Sequence, residues 1–236
     1  MSKVYTIFKR ELKAYFNSPI AYIVITVFLL ISGWFFSASL FLVNQATLRG
    51  AFGIIPLILV FFVPAITMRL ISEERKSGTI ELLVTMPVKD LDIILGKFLA
   101  ALALLAVAIL LTLTYATAVS VLGDLDPGPV IGGYLGLLLM GAAYLSIGVF
   151  ASSLTENQIV AFIIGFLVVF ALFMIDQILM FVPASLVSFF EYLSIDYHFA
   201  NISRGVIDTR DLVYYLSVTF FALLLATRSL ESRKWG

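Results

Sequence analysis

Six apolar stretches, separated by short polar segments, dominate this sequence of 236 residues. A helix rises about 1.5 Å per residue, so roughly 20 apolar residues span the hydrocarbon core of a bilayer. Only 13% of the residues are charged and 61% are hydrophobic, whereas soluble domains carry about 25% charged residues. The sequence therefore predicts an all-α integral membrane protein with six transmembrane helices. The predicted spans are 20–43, 51–71, 91–122, 130–152, 159–182 and 212–227.

Residues 1–17 are predicted to form an amphipathic helix at the membrane surface. Its basic side chains include Lys9 and Lys13, and its apolar side chains include Phe8 and Leu12. A helix with these two faces suits the interface between lipid headgroups and acyl chains. The sequence leaves open whether this interfacial helix is a plain anchor or also docks a cytoplasmic protein.

A polar segment of sequence SEERKSGTIELLVTMP follows the second predicted span. Charged side chains are costly within hydrocarbon, so the loop 72–90 that contains this segment is predicted to lie at a membrane surface. Glu73, Glu74 and Arg75 are predicted to be surface groups that pair with another protein. A solvated loop that only sets the topology explains the basic residues here, but it does not explain the three acidic ones.

The second half of this loop is predicted to form a short surface helix. Gly78 can end the preceding helical turn, Thr79 can cap the next helix, and Glu81 suits its first turn. Pro87 then ends the helix. The apolar side chains that share one face of it are Ile80, Leu83, Val84 and Met86. A short amphipathic helix that is joined to two spanning helices has the shape of a part that a partner protein binds.

Basic residues are distributed unevenly between the two sides of the predicted bundle. Because six spans alternate in direction, residues 1–17, the loop 72–90, the turn 153–158 and the C-terminus share one side. That side carries Lys3, Lys9, Arg10, Lys13, Arg69, Arg75, Lys76, Lys89, Lys97, Arg228, Arg233 and Lys234. The other side carries Arg49, Arg204 and Arg210. By the positive-inside rule, both termini and the loop 72–90 are predicted to be cytoplasmic.

Residues 183–211 are predicted to form an irregular outer segment before the last span. The apolar piece 184–193 is too short to cross a bilayer, so a re-entrant or interfacial helix is expected there. The polar candidates on this side are Asp176, His198, Arg204, Asp208 and Arg210. His198 has aromatic neighbours and is predicted to be interfacial. Asp176 is predicted to end a helix or to pair with a loop arginine, in preference to a transport role.

Gly132 and Gly136 lie four residues apart in the fourth predicted span. Small residues at this spacing let the backbones of two helices approach closely. The pattern by itself carries no chemistry. These glycines are therefore predicted to form a helix-packing face and not a ligand site.

Catalytic motifs are missing from the sequence. It has no GxxxxGK[ST] phosphate-binding loop and no HExxH or GxSxG pattern. It contains one histidine and no cysteine, which excludes disulfides, thiolate metal sites and sites rich in histidine. Carboxylates near the middle of the membrane, which a secondary transporter needs, are nearly absent. We therefore expect a chain that is not an enzyme, holds no cofactor or metal, and takes its energy from a partner.

The loop after the second span resembles that of a known family. The pattern Glu74-Arg75-x-x-Gly78-Thr79-x-Glu81-x-Leu83, followed by Pro87, is similar to the cytoplasmic loop of ABC-2 type permeases. These permeases are the membrane subunits of one large class of ATP-binding-cassette transporters. The predicted number of spans, the N-terminal helix and the outer segment also fit this family.

The C-terminal part resembles the gliding-motility-type branch of that family. The residues that carry this resemblance are Tyr197-His198-Phe199, Arg204-Gly205-Val206-Ile207-Asp208, Arg210-Asp211-Leu212 and Leu230-Glu231-x-Arg233-Lys234-Trp235. The resemblance implies a dimer of permeases, identical or paralogous, in a bacterial cytoplasmic (inner) membrane. Each permease would contact a cytoplasmic ATPase subunit, which holds the ATP and Mg, through a coupling helix that follows Gly78. A membrane-anchored protein with an extracytoplasmic domain is a further expected partner.

Three functions are compatible with the sequence. The first is a permease subunit that couples ATP hydrolysis by a separate ATPase to substrate export or envelope remodelling. The second is a structural or signalling subunit of an ABC-type envelope complex that moves no solute. The third, a stand-alone channel or secondary transporter, is disfavoured by the scarcity of polar residues within the spans. No residue pattern selects a substrate.

Overall fold

The computed structural model describes residues 3–42, 47–78, 88–123 and 125–232. These residues form helices and turns, with no strand among them. In chain order the helices are α1 Lys3–Asn17, α2 Pro19–Leu42, α3 Arg49–Thr67, α4 Ser72–Lys76, α5 Asp90–Leu111, α6 Leu113–Leu122, α7 Pro127–Leu154, α8 Gln158–Ile178, a short 3-10 helix Leu179–Phe181, α9 Ala184–Leu193, α10 Ile195–Ser203 and α11 Thr209–Glu231.

Six helical segments of the described chain are long and apolar enough to cross a bilayer. They are Pro19–Leu42, Arg49–Lys76, Asp90–Leu122, Pro127–Leu154, Gln158–Phe181 and Thr209–Glu231. The prediction of an all-helical chain with six long apolar helices is confirmed. The last of them is longer than predicted, because its helix continues through polar residues to Glu231.

Polar side chains in the short turns define where three of these helices begin. Asp126 Oδ1 accepts a hydrogen bond from the backbone N–H of Gly128 at 3.0 Å, before α7. Asn157 Oδ1 does the same for Ile159 at 2.9 Å, before α8. Asp208 Oδ1 accepts from the N–H of Arg210 at 2.9 Å, before α11. Each side chain satisfies an N–H group that has no partner within its own helix, so each turn sets a helix start.

α7 is the central helix of the bundle and packs against α3, α5, α8, α10 and α11. In its most apolar stretch 72% of the residues are buried, compared with 22% in α2 and in α8. A central helix needs small residues where its neighbours approach. An added Cβ on Gly148 would lie 2.0 Å from Thr67 Oγ1 of α3, so α3 and α7 are in direct contact there.

The N-terminal half of α7 packs on α10 through its glycines. A Cβ on Gly132 would lie 2.2 Å from the carbonyl oxygen of Ile202. A Cβ on Gly136 would lie 2.9 Å from Cδ2 of Phe199. The predicted packing face of Gly132 and Gly136 is therefore the surface on which α10 lies.

The helix expected at 184–193 is present as α9, and its re-entrant or interfacial location stays a prediction; the helix α10 in the rest of the segment 183–211 was not predicted. Two helices, α9 and α10, occupy this segment. Ser194 ends α9, and its Oγ accepts a hydrogen bond from the N–H of Tyr197 at 3.3 Å in the first turn of α10. The buried side chains Ile195, Phe199 and Ile202 then hold α10 on the bundle. This tertiary packing stabilises a nine-residue helix that has little stability alone.

Candidate coupling site

α4 is a five-residue helix that follows the spanning helix α3. It lies near the C-terminal ends of α7 and α11 and near α1, and we call this part of the bundle the terminal end. The part that holds α9 and α10 is called the opposite end. α4 ends at Ser77 and Gly78, and Gly78 has φ = +70°. A glycine accepts this left-handed conformation without strain, so Gly78 turns the chain after α4.

The predicted surface helix after Gly78 falls on residues 79–87. Thr79, Ile80, Glu81, Leu83, Val84 and Pro87 all lie outside the described residues. The coupling helix therefore stays a prediction. The structure describes the two segments that flank it, which are α4 before it and residues 88–90 with α5 after it.

A residue from another helix caps the start of α4. Ser152 Oγ of α7 accepts hydrogen bonds from the N–H groups of Ile71 and Ser72, both at 3.1 Å. The same hydroxyl donates to the carbonyl oxygen of Met68 at 3.0 Å. The first N–H groups of a helix lack partners within it, so Ser152 does what a local capping side chain does elsewhere. This cap joins the start of α4 to α7.

Arg75 joins α4 to the end of the same helix. The residue is only 8% exposed, and its Nη1 donates to the carbonyl oxygen of Ser153. Its Nη2 lies 3.8 Å from Glu156 Oε1. Ser229 Oγ of α11 donates to the same Ser153 carbonyl at 3.1 Å. The last carbonyl groups of a helix lack internal partners and attract cations. One carbonyl group therefore connects α4, α7 and α11.

Lys97 joins α4 to α5 and α1. Its side chain is 3% exposed, and Nζ lies 2.9 Å from Glu74 Oε1 and 3.4 Å from Glu11 Oε1. Arg10 Nη2 lies 2.6 Å from Glu11 Oε1 and 3.7 Å from Glu74 Oε1. A buried lysine needs such carboxylates, because desolvation of an unpaired charge is costly. We call these four residues the charge cluster.

Gly96 provides the contact surface for α1 on α5. A Cβ at this position would lie 2.6 Å from Cγ2 of Ile7 and 3.2 Å from the carbonyl oxygen of Val4. Ile7 is the buried side chain of α1, and it packs on Ile93. The apolar contact and the charge cluster are adjacent on α5, so α1 is held at both. The location of α1 at a membrane surface stays a prediction.

A cavity of about 330 Å³ lies beside the charge cluster, between α1, α2, α3 and α5. Glu11, Tyr15 and Arg69 line its polar part, and Leu104 lines its apolar part. Burial, with a smaller contribution from Glu11, raises the pKa of Tyr15 above its ordinary value, against the lowering effect of Arg69. The Tyr15 phenol is therefore neutral. α1 is attached mainly through α2, α5 and the charge cluster, with this cavity between it and α3.

These contacts change the prediction that Glu73, Glu74 and Arg75 are surface groups: Glu74 is half-buried and Arg75 is buried, while Glu73 is exposed as predicted. Pairing with another protein stays a prediction. Glu74 bonds to Lys97, and Arg75 is buried against the end of α7. Glu73 is exposed, but its carboxylate accepts hydrogen bonds from Arg69 at 2.8 and 3.1 Å. The surface prediction failed for Glu74 and Arg75 because the residues that approach them are distant in sequence. These charges hold α4 in the bundle.

The opposite end contains a buried polar pair. His198 Nδ1 lies 2.5 Å from Asp211 Oδ1, and its Nε2 lies 3.0 Å from the carbonyl oxygen of Tyr192. The His198 ring stacks on Tyr214 with 4.0 Å between centroids. A carbonyl oxygen only accepts, so Nε2 carries a proton. His198 is 1% exposed, so it is buried within the protein, and its location at the membrane interface stays a prediction.

The other polar candidates of the opposite end are not gathered around His198. Asp208 caps α11, as described above, and Arg210 is exposed in the first turn of that helix. Arg204 is exposed at the end of α10. Asp176 has no lysine or arginine nitrogen of a described residue within 4.0 Å. The predicted pairing of Asp176 with a loop arginine is therefore not formed in the described part of the chain.

Sequence reasoning missed the residues that anchor α4. By the positive-inside rule Lys97 is only a topology signal, although it lies seven residues inside an apolar helix that begins at Asp90. A lone cation at such a place indicates a buried ionic partner. Ser152 and Ser153 gave no signal, because one acts through a hydroxyl that is common in helices and the other through its backbone.

Comparison with known proteins supports a membrane transporter. The sequence matches the family described as ABC-2 family transporter protein over residues 35–225. The match includes α3, α4, α5 and α7, and it begins within α2. No curated protein matches the sequence. Because the match covers most of the 236 residues, and because six helices are long enough to span a bilayer, the chain belongs to the ABC-2 transporter family and is a multi-pass membrane permease.

Proposed function

We propose that this permease couples ATP hydrolysis by a separate cytoplasmic ATPase subunit to substrate export or envelope remodelling. The family assignment supports an ATPase partner, and the sequence has no phosphate-binding loop of its own. ATP and Mg are held by that partner. The chain acts as one half of a dimer, with a second copy or a paralogue. It belongs to the gliding-motility-type branch and lies in a bacterial inner membrane, with both termini in the cytoplasm.

The attachment of α4 to the rest of the terminal end carries this proposal. Glu74 connects α4 to α5 and α1 through Lys97, and Arg75 connects it to α7 and α11 through the Ser153 carbonyl. The ATPase binds the apolar face of the predicted helix in 79–87. A displacement of that helix moves α4, and α4 moves four helices with it. Buried ionic contacts resist separation, so the displacement is transmitted as a unit.

The charge cluster gives α1 a role in the same step. α1 packs on α5 beside Gly96 and bonds to Glu74 through Lys97 and Arg10. An ATPase that binds the segment 79–87 next to α4 is therefore also connected to α1. This arrangement favours a role for α1 in docking the cytoplasmic ATPase over a role as a plain membrane anchor.

Co-purification tests the proposed coupling. The wild-type permease is isolated from its native membranes in mild detergent, and the ATPase subunit is identified by mass spectrometry and by ATP hydrolysis. Leu83→Asp places a charge on the apolar face that the ATPase binds, so the ATPase is lost while membrane insertion is kept. Lys76→Gln, which changes an exposed charge on α4, is the matched control and retains the ATPase.

Two outcomes contradict the proposal. An ATPase that stays bound to the Leu83→Asp protein, with unchanged hydrolysis, rules out the coupling helix. The absence of any ATPase from the wild-type preparation favours a channel or secondary transporter. Substrate flux in reconstituted vesicles then distinguishes a transporting complex from a structural or signalling subunit that uses the same ATPase.

A further inference from the structure

A second cavity, of about 390 Å³, lies at the opposite end of the bundle between α3, α7 and α10. Its polar lining includes Arg49, Arg204 and Asp196, and its apolar lining includes Phe52 and Phe199. Its volume is within the range of sites that hold small molecules or lipid headgroups. It is separate from the charge cluster, since it shares no lining residue with the cavity at the terminal end.

The basic residues of this end converge on the cavity. Among the lysine and arginine residues that the structure describes, Arg49, Arg204 and Arg210 lie at the opposite end. Two of those three line this one cavity. Two cations in a cleft produce a higher local positive potential than two cations on a flat surface, because the cleft focuses their electric field.

The two arginines differ in their pairing from five of the cations of the terminal end. Arg10, Arg69, Arg75, Lys97 and Arg228 each lie within 4.0 Å of a carboxylate oxygen. Arg49 and Arg204 have no carboxylate oxygen of a described residue within that distance. Their guanidinium groups are exposed to the cavity and open to an external acceptor.

We propose that this cavity binds an oxyanion group carried by an amphiphilic molecule. A guanidinium presents parallel N–H donors that match the oxygens of a phosphate or carboxylate. Phe52 and Phe199 provide apolar surface beside the arginines, which favours a ligand with an apolar part next to its charge. A phosphodiester satisfies both requirements. It is supplied either by an anionic lipid headgroup or by a soluble phosphate ester.

Gly53 leaves space in the cavity, and a larger side chain at this position would fill that space. The residue lines the cavity, and nothing lies within 4 Å of a Cβ added there. Its position in α3 accepts a side chain without backbone strain, because its φ is not in the left-handed region. A phenylalanine at this position fills the space and leaves both arginines unchanged. Charge and volume are therefore tested separately.

The test uses the full-length protein in two arms. In the first, native mass spectrometry in detergent counts bound phosphatidylglycerol, with phosphatidylcholine as the neutral comparison. In the second, isothermal titration measures binding of glycerophosphoglycerol, the soluble phosphodiester of the same headgroup, to protein in phosphatidylcholine nanodiscs. The variants are Arg49→Gln with Arg204→Gln, and Gly53→Phe. The control is Arg210→Gln, which removes the third cation of this end without touching the cavity.

The double arginine variant is expected to bind at least about tenfold more weakly, since each charge-assisted contact is among the stronger hydrogen bonds. Gly53→Phe gives a similar loss, and Arg210→Gln binds as wild type does. Binding in the first arm alone assigns the ligand to lipid, and binding in both arms assigns it to any accessible phosphate ester. Equal loss in Arg210→Gln, or no loss in Gly53→Phe, overturns the site, because the effect then comes from general surface charge. Failure of both probes to bind the wild type also overturns it.

Discussion

Lys97 Nζ lies 2.9 Å from Glu74 Oε1, so a buried cation of α5 is paired with a carboxylate of the short helix α4. Glu11 of α1 lies 3.4 Å from the same nitrogen. One lysine therefore holds together two spanning segments and the N-terminal helix. The proposed coupling function depends on this contact, because it connects the predicted ATPase-binding segment with two parts of the bundle.

Replacement of Lys97 by methionine should loosen this end of the protein. The change removes the buried cation and leaves the Glu11 and Glu74 carboxylates with the more exposed Arg10. Breaking a buried ion pair in this way costs about 3 kcal/mol. The apparent midpoint of thermal unfolding in detergent should fall by about 5 °C or more. The proposed ATPase should still bind, since 79–87 is unchanged, but its hydrolysis should no longer respond to the permease.

A triple change provides the control for that result. Lys97→Met together with Glu11→Gln and Glu74→Gln removes all three charges, so no uncompensated charge stays buried, and most of the lost stability should return. Equal instability of the single and triple variants would show that the methionine itself does not fit. The ionic contact would then not be the cause.

Two glycine substitutions should have opposite effects on stability. Gly132→Ala places a methyl group 2.2 Å from the backbone oxygen of Ile202, so α10 must move, at a cost of about 1–3 kcal/mol. Gly53→Ala places its methyl group in open space and gains up to about 1 kcal/mol in helix propensity. Thermal unfolding of the two variants in one detergent measures the difference. A stable Gly132→Ala protein would mean that α10 does not lie on α7.

The pair of His198 and Asp211 should distinguish asparagine from alanine. Nε2 donates to the Tyr192 carbonyl, so in a neutral ring Nδ1 is an acceptor, and an amide at position 211 can donate to it. Asp211→Asn should therefore change the unfolding midpoint little. Asp211→Ala leaves the buried ring nitrogen without its partner and should cost about 1–3 kcal/mol. If both variants unfold at the same temperature, the hydrogen bond contributes nothing measurable.

Binding of a phosphodiester at the opposite end should strengthen in acid. Burial, and then repulsion by Asp176, raise the pKa of Asp196 to about 6. Above that pH the carboxylate is ionised and repels an anion, and below it the carboxyl group is neutral. Affinity for phosphatidylglycerol should therefore rise between about pH 7.5 and about pH 5, since a phosphodiester keeps its single charge over this range. The other titratable groups that interact with Asp196 are Tyr144 and Tyr215.

Asp196→Asn provides the matched comparison for this pH dependence. The variant should bind phosphatidylglycerol at about pH 7.5 as tightly as the wild type does at about pH 5. The affinity of the variant for phosphatidylglycerol should be the same at both pH values. A variant that keeps the full pH dependence would assign the titration to another group.

The sequence predicts local features of this fold well and tertiary contacts poorly. Apolar composition and short polar turns are properties of neighbouring residues, so the six long helices follow from them. The pairing of His198 with Asp211 depends on how α10 and α11 pack. The charges of α4 look like solvated groups until Lys97 is placed next to them. Helix α10 itself depends on Gly132 and Gly136, which the sequence marked only as a packing face.

The hydrogen bonds to the Ser153 carbonyl determine which residues at the junction of α4, α7 and α11 can be substituted. Arg75 and Ser229 both bond to the main-chain oxygen of that residue and not to its side chain. Every amino acid has this oxygen, so a small residue such as alanine at position 153 keeps the junction of three helices. Positions 75 and 229 lack this freedom, since the first needs a long cation and the second a hydroxyl. Variation among related permeases should therefore be greater at the residue that accepts these bonds than at the two that donate them.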